Sequence, residues 1–340
     1  MSDAMNILFT CAGRRVQLLR DFRKAMDTLG VEGKIVVAEC TDAAPACHIA
    51  DAYELTHAVD QPGYLDQLMK IVHHQDIKLV VPLTDLDLGL LSDNRGLFEK
   101  HGAQVMIASP RVVEMCCDKF QTAQLVVDAG LEPICTYTVE QFLTHAFYPC
   151  FVKPVEGSAA FGASIIHDAR ELRVHLATYG SSEMMVQEYV PGQEFTIDVF
   201  RSRAGELHAV VPRQRLQVRS GEVQKAVTVH DDAIMAATAK LVGRLNGMWG
   251  VFCCQGRRLD ADSPIQFFEI NPRFGGGSPL AIKAGADLPL YLLQDLLGME
   301  ITGTVGEFTD GLLMLRYDDA VFSTVDDITR LPGYDTPEFR

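Results

Sequence analysis

Basic residues are scarce in this chain: 30 Lys and Arg stand against 45 Asp and Glu, for a formal net charge of −15. Nucleic acids and anionic membrane surfaces are bound through clustered Lys and Arg, so neither is an expected partner. Long apolar runs are missing too. No stretch approaches the roughly 20 residues of a membrane span, and the short apolar run after Asn6 meets Arg14–Arg15 at once, unlike a secretory leader. No Cys-x-x-Cys pair occurs among the nine cysteines; Cys116–Cys117 and Cys253–Cys254 are adjacent, a spacing that makes no metal knuckle. Reduced, partly buried thiols in a cytoplasmic protein are the expectation. Repeats and low-complexity tracts are also absent.

What remains is an ordinary globular composition, 48% hydrophobic and 22% charged over 340 residues. At about 150 residues per domain, that length suits two or three domains. The first third alternates strand and helix. Apolar runs at Ile7–Thr10, Ile35–Ala38, Leu79–Pro82 and Val105–Ala108 predict short strands. Between them, spacings of three and four predict helices over Val16–Leu29 (stopped by Gly30), Tyr64–His73 and Leu86–Phe98. Such a unit is a parallel sheet covered on both faces, with ligands near the strand ends at Thr10–Arg15, Thr41–Pro45 and Pro82–Asp87. Arg14, Asp42, Asp85 and Asp87 fall there as candidate substrate groups or helix caps, the cap reading being preferred for Asp85. A helix over Asp118–Ala129 and the turn Gly130–Pro133 lead into strands at Cys150–Pro154, Ser164–His167 and Met184–Tyr189, a small α+β lid. Longer strands follow at Glu194–Arg201, His208–Pro212, Val251–Leu259 and Ile265–Ile270, with a helix over Ala233–Leu245, and predict a larger antiparallel sheet.

Three segments carry chemistry. The strand ending in Lys153 runs into a small-residue loop framed by Gly157 and Gly162, with Ser158 inside it. Glycine admits close backbone approach, so N–H groups can face phosphate oxygens, and Lys153 adds a point charge. A Walker A loop needs G-x-x-x-x-G-K-[ST] and is absent. An ordinary hairpin with a solvated lysine is the competing account. In Gln187-Glu-Tyr-Val-Pro-Gly-Gln-Glu194, Glu188 ends one strand and Glu194 opens the next, placed for an adenine edge and a ribose, or simply exposed at a turn. In Glu269-Ile-Asn-Pro-Arg-Phe-Gly-Gly-Gly277, Glu269 and Asn271 stand at i and i+2 and face one side of a strand. Two oxygen donors at that spacing suit Mg²⁺, which completes its shell with phosphate and water. Arg273 follows for the transferred phosphoryl group, and Gln255 one strand earlier is a third metal candidate.

In this order the three segments resemble the ATP-grasp superfamily, and within it the single-module, carbamoyl-phosphate-synthetase-like ligases. The resemblance implies a Rossmann-like preATP-grasp domain over 1–112, a linker helix and lid over 113–189, and a C-terminal ATP-grasp domain with the metal site over 190–340. Asp118-Lys119 with Thr122, then Gly130-Leu-Glu-Pro133, is similar to the family's D-K-x-x-x helix and G-x-x-P turn. By the resemblance Lys119 and Lys153 are nucleotide lysines, and Glu188 and Val190 are adenine-edge positions. Glu194 is then the ribose position, Glu269, Asn271 and Gln255 are metal positions, and Arg273 lies beside the phosphates. Pro212-Arg-Gln-Arg215, Arg219 and Lys225 resemble a basic stretch of the same subfamily; Arg213, Arg215 and Arg219 are candidate contacts for a substrate carboxylate, or form an exposed basic hairpin.

The activity implied is ATP- and Mg²⁺-dependent (Mn²⁺ as alternative) conversion of a small-molecule carboxylate into an acyl phosphate, which an amine then captures. Dimerisation is a family-level expectation. The alternatives are an ATP-grasp carboxylase or non-amine ligase, an idle nucleotide-binding regulator, and an NAD(P)-binding oxidoreductase. The last is disfavoured by the single Gly in Thr10-Cys-Ala-Gly-Arg-Arg15, where G-x-G-x-x-G needs three.

Overall fold

Short strands, buried on both faces at the centre of their sheet, organise the first part of the chain. In the computed structural model, which describes residues 4–157, 161–219 and 221–324, these strands are Asn6–Thr10 (β1), Ile35–Glu39 (β2), Ala52–Leu55 (β3), Ile77–Pro82 (β4) and Gln104–Val105 (β5). They pair in parallel in the order β3-β2-β1-β4-β5. Parallel neighbours need crossovers, and Val16–Leu29 (α1), Tyr64–His74 (α2), Leu88–Asp93 (α3) and Arg95–Lys100 (α4) lie in the connecting segments. Gly30 ends α1 in the left-handed region, where its lack of a Cβ avoids strain.

The helix expected over 86–98 is divided at Asn94, which leaves helical ψ although the apolar spacing continues through it. The strand expected over Val105–Ala108 pairs only through Val105. Strand β3 lies at the sheet edge with Tyr53 and Leu55 exposed, so no apolar run betrays it. At the N-terminus of α3 the cap position is occupied by Asp87, not Asp85, and Asp87 makes no side-chain cap bond. Its carboxylate accepts instead from the Tyr64 hydroxyl at 3.1 Å.

The second part opens with Pro110–Cys117 (α5) and Lys119–Asp128 (α6). Strands Thr136–Thr138 (β6), Cys150–Pro154 (β7), Ser164–Ile166 (β8) and Met184–Glu188 (β9) form an antiparallel sheet in the order β6-β9-β7-β8, joined by Val139–Thr144 (α7) and Ala169–Tyr179 (α8). Phe142, Val152, Val186 and Leu172 close its core. A six-stranded antiparallel sheet follows. Gln193–Arg201 (β10), Leu207–Arg219 (β11), Glu222–Thr228 (β12), Gly250–Arg258 (β13) and Gln266–Asn271 (β14), with a late strand described below, stand in the order β14-β13-β10-β11-β12 and then that edge. Asp232–Val242 (α9) packs on β11. Ser278–Lys283 (α10) and Leu288–Leu296 (α11) come next, and Leu313–Leu315 (β15) supplies the edge beside β12.

By contact density the chain forms two units. One comprises residues up to Ile107 with Asp287–Ile301 and the chain from Tyr317; the other comprises Ala108–Ala286 with Thr302–Arg316. In the first, α11 returns to pack on α1. Both the lid sheet and the six-stranded sheet belong to the second.

Candidate active site

The six-stranded sheet sorts its residues by pleat. Directly opposed residues share a face, and the register places Arg213, Thr196, Gln255 and Glu269 side by side across β11, β10, β13 and β14. Two residues further along, Asp198, Cys253 and Asn271 form a second row on the same face. The alternate positions of β10, Phe195, Ile197 and Val199, are fully buried on the other face. One face is core, and the other is a polar platform.

On that platform Glu269 and Asn271 meet, as their spacing predicts: Asn271 Nδ2 donates to Glu269 Oε1 at 3.1 Å. Arg273 Nη2 donates to Asn271 Oδ1 at 3.0 Å, and its own N–H turns back to the Asn271 carbonyl at 2.8 Å. A carboxylate, an amide oxygen and an arginine thus converge at the end of β14. Hard oxygen donors of this kind fit Mg²⁺, which accepts one or two protein ligands and takes the rest from phosphate and water.

The two lysines converge with them. Lys153, on β7 of the lid sheet, donates to the Phe268 carbonyl at 3.3 Å, next to Glu269, with its ammonium 5.2 Å from the Phe268 ring centre. Burial lowers its pKa to about 8; Glu269 pulls the other way, and Lys119 adds to the depression. A buried ammonium with a positive neighbour is poised to accept an anion. Lys119, the first residue of α6, donates to the carbonyls of Val155 (3.2 Å) and Gly157 (3.0 Å) and so grips the loop after β7. Gly157 and Gly162 have φ of 109° and 67°, values that other residues adopt only at a cost. Ser158 lies outside the described residues.

The adenine and ribose candidates follow at the end of β9. Glu188 is exposed, and its N–H donates to the Cys135 carbonyl at 3.0 Å. Val190 is nearly buried, and its carbonyl accepts from Arg257 at 2.9 Å. Glu194 is flanked by two guanidinium groups, Arg257 Nη2 and Arg215 Nε, each 3.2 Å from one of its oxygens. The second contact is an ion pair without hydrogen-bond alignment.

The three arginines proposed for substrate differ from one another. Arg213 is 1% exposed and bound through Nε and Nη2 to Asp198, whose Oδ1 also accepts from Ser278. That burial departs from the exposed basic hairpin that the sequence left open: Arg213 is an internal ion-pair partner, with its Nη1 making no hydrogen bond among the described residues. Its size also accounts for Gly277, where a Cβ would lie 2.3 Å from Arg213 Nη1. Arg215 faces the platform, where it donates to Gln255 Oε1 at 3.1 Å and to the Gly221 carbonyl at 2.8 Å. Arg219 is exposed near the hairpin tip. Asp198 and Ser278 were not singled out from the sequence; their 80-residue separation is closed only by the fold.

Two antiparallel sheets thus bring two lysines, a carboxylate–amide pair and an arginine together. A family model described as ATP-grasp in the biosynthetic pathway with Ter operon matches residues 180–319, and one described as PylC-like, N-terminal domain matches 7–106. Residues 180–319 are thus similar to an ATP-grasp domain. The chain is 26% identical to a formate-dependent phosphoribosylglycinamide formyltransferase of Ignicoccus hospitalis, covering 73% of this chain and 65% of that one. It is 24% identical to the carbamoyl phosphate synthase large chain of Thermotoga petrophila, covering 93% of this chain but only 30% of that one. An L-amino acid ligase from Bacillus licheniformis shares the fold with a TM-score of 0.69 at 17% identity, over 91% and 78% of the two chains. The chain thus spans under two thirds of the length of these formyltransferase and synthase relatives.

Proposed function

We propose that this protein is an ATP-dependent ligase that activates a small carboxylate as an acyl phosphate and transfers the acyl group to an amine, releasing ADP and phosphate. The observation that carries this reading is the convergence of Lys153, Glu269, Asn271 and Arg273 at the end of β14, with Lys119 holding the loop after β7. Two of the similar proteins are named for small carboxylic substrates, formate and L-amino acids.

The residues divide the work by chemistry. Glu269 and Asn271 would hold Mg²⁺, which when bound neutralises charge on the phosphate oxygens. Lys153 supplies a buried cation for the polyphosphate, and Arg273 offers a planar pair of donors to the transferred phosphoryl group. Lys119 orders the Gly157 carbonyl and so the loop's approach to the phosphates. The lid sheet would keep water from an acyl phosphate that otherwise hydrolyses. The carboxylate attacks phosphorus in line, the ADP oxygen leaves with its electron pair, and an amine later displaces phosphate from the acyl carbon. Dimerisation and a cytoplasmic location are part of this reading; no helix among the described residues is long and apolar enough to cross a membrane.

The test is Mg²⁺-dependent phosphate release from ATP across a panel of carboxylates and amines, with Glu269→Ala alongside. Release that requires one carboxylate–amine pair, with a fall on the order of 10³-fold in the variant, is expected. ATP turnover indifferent to Glu269 would sink the assignment.

A further inference from the structure

Arg257 has no part in the steps above, yet its guanidinium gathers three residues of the turn between β9 and β10. Nη1 donates to the Val190 carbonyl at 2.9 Å, Nη2 lies 3.2 Å from Glu194 Oε2, and the guanidinium carbon stands 5.9 Å from the centre of the Tyr189 ring. Register explains the meeting. Glu194, near the start of β10, is directly opposed by Arg257 near the end of β13, so the two side chains share a face.

The turn itself needs such an anchor. Val190 is nearly buried, and the peptide that carries its carbonyl ends on the nitrogen of Pro191, which has no N–H. Only the oxygen can tie that peptide down, and a buried carbonyl left without a partner is costly. Backbone packing lays the next residues on the same strand: Gly192 has φ of 96°, and a Cβ there would lie 2.3 Å from the Arg258 carbonyl oxygen. Arg215, the other cation at Glu194, donates instead to Gln255 and to the Gly221 carbonyl. The two guanidinium groups therefore differ, since it is Arg257 that joins the adenine-edge segment to the ribose carboxylate. Both side chains of the Arg257–Glu194 pair are about a quarter exposed, which limits its Coulombic worth and leaves geometry as its main contribution.

We infer that Arg257 is a positioning residue for the nucleoside half of ATP: it bonds the Val190 carbonyl and pairs with Glu194, and so fixes the adenine-edge and ribose positions relative to each other before the nucleotide arrives. The inference rests on the ATP reading above. Groups already ordered in the free protein cost less to engage, so the gain falls on adenine and ribose and not on the phosphates.

The experiment measures, by calorimetric titration on the full chain with Mg²⁺, the affinities of ADP, of 2′,3′-dideoxy-ADP (which lacks both ribose hydroxyls) and of inorganic pyrophosphate. Wild type is compared with Arg257→Ala, Arg257→Gln and Arg257→Lys, each checked for fold by circular dichroism. Wild type should prefer ADP over the dideoxy nucleotide on the order of tenfold. Arg257→Ala should weaken ADP on the order of tenfold and shrink that preference to about twofold, with pyrophosphate unchanged. Arg257→Gln keeps a donor for Val190 without the charge, and Arg257→Lys keeps the charge without the planar pair, so both should fall between. Pyrophosphate weakened in step with ADP would mark a general loosening and overturn the inference, as would a preference for ADP that Arg257→Ala leaves at its wild-type value. Wild type that binds ADP with no preference over the dideoxy nucleotide removes Glu194 from the ribose, and the inference with it, while the ATP reading stands. Failure of wild type to bind ADP at all removes the ATP reading itself.

Discussion

Asp87 is fully buried beside the Tyr64 hydroxyl, and burial raises its pKa from the ordinary 3.8 to about 6. A carboxyl whose folded-state pKa is raised binds its proton more tightly in the folded protein, so it favours the fold most at low pH. Stability is therefore lost as pH rises from about 4 through about 6, and above that the ionised group costs about 3 kcal/mol. Asp87→Asn keeps an acceptor for Tyr64 and deletes the charge. Its melting temperature should exceed that of wild type by roughly 5–10 °C at pH 8, with the gap closing by pH 4. A constant gap across that range would show that something other than ionisation is at work. None of this was legible beforehand: a sequence shows an Asp after a strand, which is equally a cap, and only its burial in the fold makes the charge costly, a cost that the hydrogen bond from Tyr64 offsets in part.

At the scale of elements, legibility followed locality. The helix over Val16–Leu29 and the strands at β1, β2, β7 and β14 are written in runs or periods contained within themselves. The pair Glu269 and Asn271 was legible for the same reason, since two residues on one strand need no partner to share a face. Strand β11 was expected to stop at Pro212, which lacks an N–H. It continues to Arg219 because residues 213–219 pair with β12, whose own pattern alternates too weakly to announce it. The Arg213–Asp198 pair, which decides that Arg213 is internal, depends on register between β10 and β11 and was invisible. Helix α6 joins the two levels. Its cap, Asp118, accepts from the N–H groups of Phe120 (2.8 Å) and Gln121 (3.2 Å), and the next residue is Lys119. Asp118→Ala should cost about 1 kcal/mol and, by loosening Lys119, weaken ADP binding roughly 3–10-fold, an effect of the same size. Asp118→Asn should restore both. Calorimetric titration decides it: unchanged ADP affinity in the alanine variant would detach the cap from the site.

For the whole molecule, the division into two units sets how nucleotide and stability are linked. Each unit has its own sheet and core, the first around Phe9, Phe22 and Val80, the second around the lid cluster and the buried face of β10. By contact density α11 groups with the first unit although it follows the second in sequence, a return that no local pattern encodes. Every candidate nucleotide and metal residue belongs to the second unit. A ligand that binds only the folded form stabilises it by RT ln(1 + [L]/Kd), about 2.7 kcal/mol at a hundredfold excess over Kd. Spread over a unit of this size, that is a rise of about 5–10 °C. Differential scanning calorimetry is therefore expected to resolve two transitions. MgADP should raise one of them by that amount and leave the other within about a degree. Glu269→Ala should lose most of the Mg²⁺-dependent part of the shift while retaining what Lys153 and Lys119 contribute to nucleotide alone. A single transition moved as a block would mean that the units unfold together, and the separation of nucleotide linkage from the parallel-sheet unit would then be wrong.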